Sequence, residues 1–280
     1  MAQSHCTLIH VKHRAPVLRH IAAMSDQHPY APKVRAATAS DIKASLALGL
    51  ADFRAAPLSG VWFSSVFVLT GLLITFITYA TGHTFWLVLA VMGFPLVGTL
   101  AAVGFYEISK RRDTAEAVSF PDILARVWAH RRGQLPWLAA IIVVIFLFWF
   151  FLGHMIFALF LGLAPMTNVS NSLEVFLTPE GLTMLTVGTL VGAAFATLVF
   201  SVSVLGMPMI IDRDIDFVTA MLTSLKATLT RPALYLGWGL IVALATLLSM
   251  LPLFLGLFIT MPVLGHTTWH LYRRLTTSQE

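Results

Sequence analysis

The sequence predicts an all-α membrane protein: a polytopic six-helix transmembrane bundle built from three repeats of an interfacial amphipathic helix followed by a transmembrane hairpin. Three observations predict it. Long uncharged runs cover 61–80, 84–106, 137–164, 182–210 and 233–265. All 18 Lys and Arg residues lie between them on one side of the membrane once the last run is read as two spans. An Asp-to-Pro pattern also recurs before every odd-numbered span.

Composition excludes a soluble globular domain, because 58% of the 280 residues are hydrophobic and 11% charged, against about 25% charged in globular chains. The mean hydropathy is +0.83. The lone cysteine, Cys6, rules out a disulfide framework, a CxxC motif and a thiolate metal cluster. A pI near 9.7 would suit nucleic acid or anionic lipid. The one-sided placement of the charges points to the membrane surface, and no nucleic-acid partner is expected.

Residues 1–23 carry four of the ten histidines and no long apolar run, whereas Met24 opens "MSDQHPYAPKVRAATASD" in the manner of a native start. The expected division is a disordered cytoplasmic tail over 1–36, a six-span membrane domain over 37–274 and a short tail over 275–280. With no charged-then-apolar leader near the start, the first span is expected to act as the targeting signal.

A helix crosses about 30 Å of hydrocarbon in roughly 20 residues, which each of the first four runs supplies once. The run 233–265 would reach about 50 Å at 1.5 Å per residue. A turn is therefore expected at "SMLPLF", where Pro252 ends one span near 250 and the next starts near 253. Lys and Arg number seven before Val61, six in 107–135, three in 211–232 and two after Tyr272, with none in the connections 81–83, 165–181 and 251–252. Basic residues mark the cytoplasmic side, so both termini are expected in the cytoplasm of a bacterial inner membrane.

The repeat reads "DIKASLALGLADFRAAP" from Asp41 to Pro57, "DILARVWAHRRGQLP" from Asp122 to Pro136, and "DFVTAMLTSLKATLTRP" from Asp216 to Pro232. Ile42, Leu46, Leu50 and Phe53 fall on one helical stripe, as do Phe217, Met221, Leu225 and Thr228. An acid starts each segment and a base ends it, the order the helix dipole favours, and Thr38 or Ser40 can cap the first. The expected placement is in the inner interface, apolar faces in lipid and basic residues toward headgroups. Even-numbered spans share a proline mark, "FPLVG" at 94–98, "MPMII" at 207–211 and "MPVLG" at 261–265. Small residues at Gly188, Gly192 and Ala196, and at Gly98 and Ala102, read as close helix packing.

Ionisable groups inside a bilayer are costly and default to functional candidates. Here they are Glu107, His154, Asp212, His266 and His270. His154 stands near the outer end of its span and His266 near the inner end of its own, too far apart to share a metal. His266 and His270 are four apart on one helix face and could share Zn or Cu. "HTTWH" has the spacing of a zinc-protease helix but carries Thr267 where the general base belongs, which excludes that chemistry. Nor can two neighbours on one helix supply the opposed axial ligands of one haem. Four residues beyond Pro95, Pro208 and Pro262 stand Thr99, Asp212 and His266, so a contact from Asp212 to His266, with His270 or Glu107 near, is the sharpest expectation. It would make a proton-sensitive pair or a weak metal site. The alternative is that Trp269, Tyr272, Arg273 and Arg274 anchor the last span at the interface.

Through "VRAATASDIKASLALGLADFRAAP", "GFPLVGTLAAVGFYEISKRRD", "MPMIIDRD" and "PVLGHTTWHLYRR", residues 33–274 resemble a family of bacterial integral membrane proteins with a domain of unknown function. Some members are labelled cytochrome c oxidase subunit I. The resemblance implies a six-span inner-membrane protein and no activity. The oxidase label does not fit: such a subunit holds two haems and copper through six histidines in about twelve spans, and these spans contain only His154, His266 and His270.

The expected function is a non-enzymatic accessory or scaffold protein engaging lipid, a partner protein or a second copy of itself, with no cofactor. The rival is a redox accessory protein holding haem or Zn/Cu through His154 or the 266/270 pair. Small-molecule transport ranks below both, since the central turns of the spans offer mainly Thr and Ser.

Overall fold

Proline and capping side chains set the helix starts. Pro57, Pro179 and Pro232 occupy the first turn of three long helices, where the missing N–H costs no hydrogen bond. Thr38 and Asp41 form a reciprocal capping box, and Asp216 accepts from Thr219 N. The computed structural model describes residues 32–82, 86–162 and 173–276, with side chains from 98 and from 175 onward in the last two segments. The expected tail 1–36 and the last four residues lie largely outside these.

Among the described residues there are ten α-helices: α1 Ala39–Ala55, α2 Pro57–Thr81, α3 Trp86–Asp113, α4 Phe120–His130, α5 Leu135–Leu161, α6 Pro179–Ser203, α7 Gly206–Arg213, α8 Phe217–Thr230, α9 Pro232–Met250 and α10 Leu257–Thr276. A short 3-10 turn, Leu173–Leu177, precedes α6. Among the described residues, four stretches are long and apolar enough to cross a membrane: Pro57–Thr81, Leu135–Leu161, Pro179–Arg213 and Pro232–Met250. The long run 233–265 does turn back, through residues 251–256, with Leu253 and Phe254 at positive φ.

The break between α6 and α7 has a local cause. Pro208 cannot donate to the carbonyl of Val204, and the helix opens at Val204 and Leu205. Ser224 of α8 repairs the gap: its hydroxyl donates to Ser201 O at 2.7 Å and accepts from Leu205 N at 3.1 Å. One side chain thus bridges Leu205 N and Ser201 O, the i to i−4 pair left open at the break.

Each hairpin packs on itself, α2 on α3, α5 on α6 and α9 on α10. Each returning helix also meets the short helix that follows it in chain order: α3 meets α4, and α6 with α7 meets α8. α10 closes the circle by packing on α1 more extensively than any other pair. The returning helices meet one another where α3, α7 and α10 converge.

The core lies at this charged end. Tyr106, Leu138, Met209, Ile210, Trp269, Leu271 and Tyr272 are buried there. Farther along the spans Phe76, Phe148, Leu159, Leu190 and Leu247 point outward, the surface hydrocarbon would cover. α1 follows the same rule. It buries Asp41, Ser45, Gly49 and Asp52 and exposes Leu46 and Leu48. Before α1, Arg35 N donates to Leu275 O at 3.1 Å, and Leu275 and Thr276 are buried. Residues just outside 37–274 are therefore part of the packed unit.

Candidate functional site: two polar clusters and a charged pocket

The first cluster forms where α10 lies between α1 and α3. Gly49 makes the approach possible, since a Cβ there would stand 2.7 Å from Thr267 N and 2.9 Å from Val263 O. One turn on, Asp52 is only 5% exposed. Its Oδ2 accepts from Ser109 Oγ and from His270 Nε2, both at 2.7 Å. Its Oδ1 accepts from Arg112 Nε at 2.7 Å. Burial pushes the Asp52 carboxyl up, but the bonds from His270, Ser109 and Arg112 outweigh it and leave its pKa at about 2. Asp113 adds an edge to the cluster: it accepts from Trp269 Nε1 at 2.9 Å and stands 3.7 Å from His270 Nδ1.

His266 joins the same chain. Its Nδ1 lies 2.8 Å from Ser109 Oγ and 3.0 Å from Phe105 O. A carbonyl only accepts, so Nδ1 carries the proton, and Ser109 receives from His266 while donating to Asp52. The direction decides the chemistry. With Ser109 Oγ donating to Asp52, its hydroxyl proton is held by that carboxylate and not by His266. His266 Nε2 is buried with no partner among the described residues.

The second cluster gathers around Asp212 at the end of α7. Tyr272 Oη donates to it at 2.9 Å and Arg273 Nη1 at 3.3 Å, with Lys110 Nζ at 3.5 Å. The expected Asp212 to His266 contact is therefore not made. Four residues past its proline, His266 reaches Phe105 and Ser109, ten and fourteen residues past Pro95. Asp212 reaches Tyr272, ten past Pro262. Each of these residues reaches about two to three turns along the neighbouring returning helix, so residues at matching positions contact different helices instead of each other.

Glu107 is likewise apart from the histidines. It accepts from Arg111 Nε at 3.0 Å, and Arg111 also stands 3.6 Å from Asp122. His154 is exposed on α5 and its Nδ1 lies 2.8 Å from Phe150 O, so it satisfies itself on its own helix. Among the described residues no three His, Cys, Asp or Glu side chains are grouped to hold a metal ion.

Glu107, Lys110, Arg111 and Asp212 line an open pocket of about 540 Å³, within the range of small-ligand sites. α4 and its following turn add Arg126, His130 and Arg132 to the lining, and Glu116 and Asp214 complete its charged residues. Asp214 caps α7 with φ 51° and ψ 36°, a left-handed conformation that Asp tolerates better than most residues.

Residues 87–212, from α3 through α7, match the model of a family described as predicted integral membrane protein DUF2189. Over that segment the chain is similar to this family. No curated protein and no solved structure matches the chain. The DUF2189 segment supplies every residue lining the pocket except Asp214. Asp52, His266 and His270 fall outside it.

Sequence reasoning missed Asp52, Ser109 and Arg112. Asp52 had one visible signal, its place with Ser45 and Gly49 on a small and polar stripe about a quarter turn from the apolar stripe of α1.

Proposed function

We propose that this DUF2189 protein is a six-span protein of the bacterial inner membrane, with both termini cytoplasmic. It serves as a non-enzymatic accessory or scaffold that engages lipid or a partner protein along its cytoplasmic face. Three units, α1 to α3, α4 to α7 and α8 to α10, form a closed ring in which every returning helix packs on the next unit. α3 and α10 then serve as the second and sixth spans.

The observation that carries the non-enzymatic reading is the direction of the buried chain. His266 donates to Ser109, and Ser109 and His270 donate to Asp52, with Arg112 closing the set. Ser109, His270 and Arg112 are each committed to the Asp52 carboxylate. Such a network holds α1, α3 and α10 in register.

The competing redox reading has one observation in its favour, the unpartnered Nε2 of buried His266. An optical spectrum and metal analysis of the protein purified in mild detergent separate the two. The scaffold reading expects neither a Soret band nor stoichiometric metal. A stoichiometric haem or metal that His266→Ala removes would overturn it.

A further inference from the structure

The pocket between α3, α4 and α7 carries more than the scaffold reading asks of it. Its interior pairs are internally satisfied: Glu107 holds Arg111, and Asp212 holds Lys110, Tyr272 and Arg273. Four charged side chains remain. The guanidinium groups of Arg126 and Arg132, both from the α4 side, make no hydrogen bond or ion pair with any described residue, and neither do the carboxylates of Glu116 and Asp214. A cavity lined by two uncommitted guanidinium groups and two uncommitted carboxylates suits a ligand that carries an anion and a cation a few bonds apart. Guanidinium forks match phosphate oxygens, and carboxylates accept from an ammonium.

The setting says where such a ligand comes from. α4 has three faces. Ile123 is buried in the core, Arg126 and His130 line the pocket, and Leu124 and Trp128 are exposed, Trp128 by 63%. Arg131 lies over the Trp128 ring, its Cζ 3.9 Å from the ring centroid. Trp62 and Trp137 are exposed on the adjoining starts of α2 and α5. Exposed tryptophans beside basic residues mark the headgroup level of a bilayer, so the pocket opens where lipid headgroups lie.

We propose that this pocket binds the headgroup of a zwitterionic phospholipid bearing a primary ammonium. Arg126 and Arg132 take its phosphate, Glu116 and Asp214 take its ammonium, and the acyl chains run past Leu124 and Trp128. The proposal names the lipid class for the lipid-engaging reading above and rests on it. A haem or metal result would overturn the scaffold reading on which this site rests, whereas a failed lipid preference would overturn only the site.

Native mass spectrometry of the full chain in detergent tests it, with phosphatidylethanolamine, phosphatidylcholine and phosphatidylglycerol of equal acyl length in competition. The ethanolamine lipid should be retained over each of the others by on the order of fivefold, the yield of about one exposed charge pair. Arg126→Gln with Arg132→Gln should erase the preference. Glu116→Gln with Asp214→Asn should reverse it toward phosphatidylglycerol, a change that mere misfolding would not produce. Arg131→Gln, which alters the Trp128 side, should keep the wild-type order. Wild-type retention of phosphatidylglycerol at or above phosphatidylethanolamine overturns the proposal, as does a carboxylate variant that keeps the ethanolamine preference. Soluble O-phosphoethanolamine should displace the lipid only in large excess; binding as tight as the whole lipid would overturn the lipid source.

Discussion

His270 Nε2 donates to Asp52 Oδ2 across 2.7 Å, joining side chains 218 residues apart and tying the last helix to the first. The bond is one of three that converge on a carboxylate almost closed to solvent. Removing the acceptor leaves Arg112, Ser109 and His270 as donors with nothing to receive them. Breaking a buried ionic network from one side costs roughly 3–5 kcal/mol, and the partial exposure of Arg112 argues for the lower end. Asp52→Ala should therefore unfold at a much lower temperature in detergent than wild type. His270→Ala should cost less, and the double variant should cost less than the two single changes added together. Additive losses would show that the bond contributes no coupling.

The same carboxyl predicts an acid limit. Its folded pKa of about 2 lies below the ordinary Asp value of about 3.9, so the unfolded chain takes up the proton first. The stabilisation is complete above the unfolded value and is lost as pH falls from about 4 to 2. Asp41 shares the window, because Arg35 beside it holds its carboxyl below the usual range. Denaturant titrations from pH 6 to pH 2 should show stability falling through that window, with a shallower fall in Asp52→Asn. An unchanged slope in that variant would assign the acid sensitivity to Asp41 and its like.

Glycines on two helices should respond in opposite ways. At Gly49 a methyl group would press on Thr267 N and Val263 O, backbone of a helix that cannot move without opening the Asp52 network. Overpacking of this kind costs roughly 1–3 kcal/mol, and Gly49→Ala should lower the melting temperature accordingly. At Gly188 a Cβ meets nothing within 4 Å, so Gly188→Ala should leave stability unchanged or raise it. A loss at Gly188 as large as that at Gly49 would count against close packing at α1 as the cause.

Apolar run length and proline chemistry make the helices legible in the sequence: the turn near Pro252 and the capped starts at Thr38 and Asp216 follow from local rules. The partners of His266 and His270 do not. Ser109 lies 157 residues from His266, and nothing local says which helix adjoins α10. Repeat position puts Asp212 and His266 at matching sites, which is a statement about depth. Contact depends also on the direction each side chain takes from its helix, and both point along a neighbour.

Topology offers the last test, and it separates six spans from four. If α3 and α10 cross the bilayer, Gly82 and Leu251 both lie on the outer face and Thr114 on the inner. In a Cys6→Ser background, single cysteines at positions 82 and 251 should react with a membrane-impermeant maleimide in intact cells. A cysteine at 114 should react only after the membrane is opened. All eighteen basic residues then stay inside, as their attraction to the cytoplasmic leaflet requires. Protection of position 251 in intact cells, with labelling after lysis, would show that α9 and α10 do not form an outward hairpin. The ring of three units would then be incomplete, and the packing of α10 on α1 would need a different account.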